Sequence, residues 1–400
     1  MQGFNIHPSL LALQTLGIGF RHALHKIPES SGQEFKTAAF CKDILEKCGF
    51  IITPFAGCTG FVADMEADSI NAPRVAIRAD MDALEMEDLT TDEHCSTHKG
   101  LAHNCGHDLH MAIALLSAHF IAEHRDKLPC NVRFIFQMAE EKSSIPGADK
   151  MVELGCMQGV DEVYALHNDG SLEYGSVHIN KGVMSSFGTI WRLDIEGKAA
   201  HGSTPHKGLD AVREGGRILA DMDYVVAKQI NPFSHAVFSC GMFHGGSIPN
   251  GVAESATLQG TIRAMDKHTD EILKNALKDI QAQSRARGFN VQLHYDGYPA
   301  MINHPLCAQK IIDAAKKCLK NHTMLIESCE PMSASEDFSY MINAAPEHKG
   351  AMYFLGSGNV QKGICNYLHA NPYYVEDRAV IVGAQIWINL IFGDVLDNKL

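Results

Sequence analysis

Between His103 and His110 the chain reads His-Asn-Cys-Gly-His-Asp-Leu-His, which places one thiol, three imidazoles and one carboxylate within eight residues. Cys105 and His107, split only by Gly106, can grip one ion from a loop. Thiolate with imidazole suits a transition metal, because calcium and magnesium take shells of oxygen. Asp108 and His110 open the amphipathic run that follows. A second group, Gln137-Met138-Ala139-Glu140-Glu141, comes directly after an apolar strand signal. Adjacent side chains on an extended chain face opposite ways. One carboxylate can therefore ligate a metal while its neighbour reaches a water that the metal activates, the division of labour that metal-assisted hydrolysis requires. His167, in Ala165-Leu166-His167-Asn168, closes a strand signal, and His369 lies in the polar loop 366–372. With Cys105, His107 and Glu141 they make five candidate ligands, enough for two ions that share a bridge.

The elements that must position these groups are legible as periodicity. Helical spacing marks 9–25, 34–47, 111–124 and 148–154, and strand signals mark 74–78, 131–137 and 162–166. This βαβ rhythm predicts a mostly parallel sheet with helices on its faces, with ligands at the carboxyl ends of the strands. Asp80, Asp82, Glu140, Glu141 and His167 fall at those ends. The character then changes. Strand 189–195, helix 210–227, strands 236–243 and 257–264, helix 269–285 and strand 290–295 follow the order of a split βαβ sandwich. The fold class is therefore α/β: a catalytic domain over 1–184 and 298–400, with an α+β, ferredoxin-like lid or dimerisation domain inserted over 185–297. The return adds helix 306–319, strand 351–355 and a final helix over 376–392.

Composition removes several function classes. A formal net charge of -13 over 400 residues argues against nucleic acid or an anionic membrane as the main partner. The first 26 residues carry neither a basic leader nor a small-residue cleavage site and read as a helix. No run of 18 apolar residues occurs, so no membrane span is expected. Twelve cysteines scattered through a long chain read as reduced thiols, which places the protein in the cytoplasm.

Seven motifs in order resemble the binuclear-metal amidohydrolases of the aminoacylase, hippurate hydrolase and auxin-conjugate hydrolase group. They are RHALHKIPE at 21–29, RADMDAL at 78–84, the cysteine-histidine run at 104–112, QMAEE at 137–141, GKAAHGSTPH at 197–206, HGGSIPNGVAESATLQGTIR at 244–263 and SEDF at 335–338. The resemblance implies that Cys105, His107, Glu141, His167 and His369 ligate two divalent ions (manganese, zinc, nickel or cobalt), with Cys105 shared. Glu140 is then the general acid/base. It also implies a homodimer formed through the inserted domain, with His201 reaching a neighbouring site to steady the oxyanion. Asn250 and Arg263 then meet the amide and carboxylate of the substrate, an arginine fork being matched to a carboxylate. Asp82 and Asp108 orient ligands rather than bind metal. The activity so implied is hydrolysis of N-acyl amino acids. The alternatives are a dipeptidase, an N-carbamoyl amino acid hydrolase, or a non-catalytic scaffold, which the retained Glu140 and His201 disfavour. Four departures stand out. His22 replaces a frequent arginine, and Ile27 a frequent histidine. Residues 142–146 replace a glycine-rich run, and the expected loop 168–171 lacks the common aromatic.

Overall fold

The computed structural model describes residues 3–142, 144–145 and 147–396. Ser143 and Pro146, in the run after the glutamate pair, lie outside the described residues. The chain divides into two compact units. One comprises Met1–Met184, Ile302–Glu330 and Asp337–Leu400; the other comprises Ser185–Met301 with Pro331–Glu336.

The larger unit is built on eight strands. Their order is Ile51–Pro54, Phe61–Met65, Asn131–Gln137, Arg74–Asp80, Glu162–Glu173, Gly350–Gly358, Val177–His178, Leu325–Ile326. Arg74–Asp80 runs parallel to Asn131–Gln137 and to Glu162–Glu173, which in turn runs parallel to Gly350–Gly358. The centre of the sheet is thus parallel, as expected, and its first two strands are an antiparallel flank. Strand Gly350–Gly358 is buried throughout, which is why it reads as a nearly continuous apolar and small-residue run. Helices His107–Glu123 and Ala379–Phe392 are buried on almost every side, as helices apolar all round must be. They pack against each other and against the central strands. Among the described residues no helix is long and apolar enough to cross a membrane.

Three local expectations are corrected. The helix after the cysteine loop starts at His107, not at 111, because Gly106 at φ 85° turns the chain into it. The strand expected to close at His167 continues to Glu173, and 168–171 is no loop, because its backbone pairs with Gly350–Gly358. The N-terminal helix breaks at Leu13 into Pro8–Ala12 and Gln14–His25.

In the smaller unit, four antiparallel strands lie in the order Asn290–Tyr298, Phe187–Glu196, Ser255–Ala264, Ala236–Gly245. Helices Ala211–Gln229 and Lys267–Ala286 complete the ferredoxin-like sandwich. Their first turns are capped by Asp210 and Asp266, whose carboxylates accept the N–H groups of Arg213 and Thr269. Alternation along Phe187–Glu196 sends Trp191, Leu193 and Ile195 into the core beside Leu258, Ile218 and Leu277, and leaves Ile190 exposed. The segment Pro331–Glu336 belongs here because Ser186 donates to the carbonyls of Met332 and Ser333.

Candidate metal centre

Cys105 sits in the tight turn that Gly106 closes, and His107 is the first residue of the helix that follows. Glu140 and Glu141 follow the strand Asn131–Gln137, and His167 lies within Glu162–Glu173. His369 lies in a loop with φ 64°, where its N–H donates to the carbonyl of Asn104. All six residues belong to the larger unit, and the fold gathers them. The donor atoms of Cys105, His107 and His167 lie within 4.8 Å of one another, as do those of Cys105, Glu141 and His369, and those of His107, Glu140 and Glu141. The first two triads meet at Cys105.

The spacing fits metal ions. Sulfur, nitrogen and oxygen ligands around a tetrahedral ion stand roughly 3.4–3.6 Å apart, given bonds of about 2.0–2.3 Å. Cys105 Sγ lies 3.5 Å from His167 Nε2, and Glu141 Oε2 lies 3.4 Å from His369 Nε2. Glu141 Oε1 is 3.7 Å from His107 Nε2. The hydrogen bonds leave the right lone pairs free. His107 Nδ1 donates to the Asp82 carbonyl, and His167 Nδ1 to the carbonyl of Asn168. Each ring therefore turns Nε2 towards the other donors. His107 Nε2, Glu141 Oε1 and Asp82 Oδ1 are buried without a hydrogen-bond partner among the described residues, the signature of groups awaiting a ligand.

The electrostatics agree. Burial disfavours a charged His107, but Asp80, Asp82 and Glu141 outweigh it and push its pKa up to about 10. A site that holds a proton this firmly is a site for a cation. Burial, then the neighbouring Glu141 and Glu140, raise the Cys105 thiol well above its usual range, so ionising it calls for an adjacent positive charge. Burial keeps His167 neutral.

Both ring nitrogens of His110 are engaged. Its Nδ1 lies 2.6 Å from Asp80, and its Nε2 accepts the Asn168 N–H at 2.9 Å. Asp82 accepts the N–H of Glu141 and the hydroxyl of Ser31. Asp108 instead takes Arg21 and His25. Three supporting residues escaped the sequence reading. Asn168, fully buried, donates to the carbonyl of Cys105 at 2.7 Å and accepts from Tyr373 and Ser357. Asn104 ties the turn to the His369 loop through Ala370. Glu34 accepts from Thr59 and from the N–H of Ala139, whose φ of 53° sets the turn into the glutamate pair. A single asparagine or glutamate carries no spacing cue of its own, so only contacts reveal these.

His201, Asn250 and Arg263 lie on the smaller unit. His201 and Asn250 are neighbours there: the short strand Ala200–His201 pairs with Gly251–Val252, and Gly202 N–H donates to the carbonyl of Asn250. His201 is exposed, its Nδ1 bonded to the Ser203 hydroxyl. Arg263 lies opposite Gly188 in the four-stranded sheet. Gly188 leaves it room, because a Cβ there would stand 2.1 Å from the guanidinium.

The model of peptidase family M20/M25/M40 matches residues 76–392. The N-acetyl-L-cysteine deacetylase of Bacillus subtilis (strain 168) is 32% identical over 394 residues, covering 98% of this chain and 91% of the relative. Thermostable carboxypeptidase 1 of Saccharolobus solfataricus is 31% identical over 370 residues, covering 92% of each. A solved structure from methicillin-resistant Staphylococcus aureus superposes with a TM-score of 0.89 at 27% identity, over 96% of this chain and 97% of that one. Together with the gathered donor set, these matches settle the affiliation anticipated from the motifs: the chain belongs to peptidase family M20/M25/M40.

Proposed function

We propose that this protein is a metal-dependent amidohydrolase that cleaves N-acyl amino acids to a free amino acid and a carboxylic acid. The observation that carries the reading is the pair of donor triads meeting at the buried Cys105, in a chain 32% identical to an N-acetyl-L-cysteine deacetylase. Two divalent transition-metal ions held by Cys105, His107, Glu141, His167 and His369, zinc, manganese, nickel or cobalt, would polarise the amide carbonyl and acidify a water. Glu140, with Oε2 3.9 Å from His107 Nε2, would take a proton from the attacking water and return it to the leaving amine. Arg263 receives the substrate carboxylate and Asn250 the amide. Burial lowers the pKa of this guanidinium, and among the described residues no carboxylate offsets it, which leaves its fork for an incoming anion. His201 steadies the oxyanion. It is contributed by the partner in a cytoplasmic homodimer that pairs through the inserted domain, whose edge strand Ala236–Gly245 is largely exposed. The smaller unit is thus lid and dimerisation domain together.

The test is amine release from acetyl, benzoyl, carbamoyl and dipeptide substrates with added zinc, manganese, nickel or cobalt. Turnover of acyl amino acids above the other classes is expected. Turnover confined to dipeptides would establish the peptidase reading, which the 31% identical carboxypeptidase favours. Turnover confined to carbamoyl substrates would make the protein an N-carbamoyl amino acid hydrolase.

A further inference from the structure

Two neighbouring strands of the larger unit separate next to the metal centre. Arg74–Asp80 pairs with Glu162–Glu173 from Val75 opposite Glu162 to Arg78 opposite Ala165, and among the described residues the pairing goes no further. Beyond that point a side chain joins Asp80 to Asn168. His110, on the helix His107–Glu123, places Nδ1 2.6 Å from Asp80 Oδ1, and its Nε2 accepts the Asn168 N–H at 2.9 Å. Nδ2 of Asn168 stands 3.1 Å from the same Nε2. All three residues are buried. A backbone N–H can only donate, so Nε2 is the bare nitrogen and the hydrogen of the ring lies on Nδ1, facing the carboxylate. We propose that His110 is a positioning residue: it spans the separated strands and fixes the place of the ion held by Cys105, His107 and His167.

The inference rests on the metal centre proposed above. Each partner of the His110 ring leads to that triad. Asn168 follows His167 in the chain, and its Nδ2 donates to the carbonyl of Cys105 at 2.7 Å. Asp80 Oδ2 lies 3.4 Å from His107 Nε2 and accepts Nη1 of the buried Arg78 at 2.8 Å. The His110 ring also stands edge-on to that of His167, with centroids 4.7 Å apart. The other two ligands have different supports: Asp82 accepts the N–H of Glu141, and the carbonyl of Asn104 accepts that of His369. An imidazole suits the span because it carries a donor and an acceptor on opposite sides of one rigid ring. Two substitutions divide these bonds. Glutamine puts an amide oxygen where Nε2 lies and keeps an acceptor for Asn168. Asparagine puts an amide nitrogen where Nδ1 lies and keeps only the donor to Asp80.

The experiment removes cobalt from the loaded full-length protein with a graded chelator and follows the visible absorption. Wild type, H110N, H110Q, H167Q and H369Q are compared, and urea unfolding without metal is measured alongside. Wild type is expected to release two ions. H110N should weaken one of them by about 10–100-fold, the usual effect of removing a group that orients a ligand, and its release curve should follow that of H167Q rather than H369Q. H110Q should stay close to wild type. H110N holding both ions as wild type does would overturn the proposal, as would H110Q weakening as far as H110N. Loss of both ions together, in step with lost stability of the metal-free protein, would also overturn it, because that marks a merely structural role. Should H110N not fold, H110Q decides alone: it must keep both ions. A wild type that takes up no cobalt would overturn the metal centre itself, and this inference with it. No readout depends on hydrolytic activity.

Discussion

Gly106→Ala is the substitution from which the metal loop has most to lose. Gly106 sits at φ 85°, and a Cβ placed on it would stand 2.1 Å from Nδ2 of Asn168 and 2.6 Å from its Cγ. An alanine in the left-handed region costs about 1–2 kcal/mol. The clash adds more, because Asn168 is fully buried and cannot retreat without releasing the carbonyl of Cys105 and the hydroxyls of Tyr373 and Ser357. A buried polar group left unpaired costs about 1–3 kcal/mol, so the substitution should destabilise the larger unit by roughly 2–5 kcal/mol. The two tryptophans make this measurable. Trp387 lies in the larger unit and Trp191 in the smaller, so in a Trp191→Phe background the fluorescence of Trp387 reports the larger unit alone during urea unfolding. The decisive comparison is with Asn168→Ala, which removes the obstacle. In that background Gly106→Ala should cost only the backbone strain, about 1–2 kcal/mol, a coupling of roughly 1–3 kcal/mol between the two sites. If the two substitutions add to within about 0.5 kcal/mol, the close approach of Gly106 to Asn168 is not what requires glycine.

The remaining predictions address chemistry, assembly and acid stability. Glu140→Gln should retain its metal content and lose about a hundred- to ten-thousandfold in kcat; near-wild-type turnover of the metal-replete variant would remove Glu140 from the proton path. His201→Ala and Glu140→Gln proteins, each inactive, should regain activity after subunit exchange, because one mixed site would hold both intact groups. Absence of recovery after verified exchange would confine His201 to its own chain. Glu376 is held down to about 2 from the usual 4.5, first by the bond from Arg378 and then, against burial, by Lys362 and Asn359. Because its folded pKa lies below its unfolded one, its stabilisation is present above about 4.5 and disappears as the pH falls towards about 2. The melting-temperature difference between wild type and Glu376→Gln should therefore shrink across that window, and a constant difference would dissociate Glu376 from acid unfolding.

The sequence alone determined more about this protein than its elements suggest. The candidate donor residues, their order and the adjacency of Glu140 and Glu141 were all legible, because metal chemistry restricts the choice to a few side chains and local chain geometry restricts their spacing. The mostly parallel sheet and the split βαβ order were legible too, since periods of 2 and 3.6 survive in any helix or strand with a buried face. What no local pattern contains is which distant residues meet. Cys105 and His167 are separated by 62 residues and close to 3.5 Å only when Glu162–Glu173 lies in its place in the sheet. The same holds for the supports. Asn168, Asn104 and Glu34 look ordinary in sequence and matter because each collects buried donors or acceptors from segments far along the chain. His110 shows the converse. Its spacing from His107 suits a ligand, yet Asp80 and the Asn168 N–H occupy both its nitrogens. A histidine's role is decided by what fills its two nitrogens, and only the tertiary structure brings those partners to it.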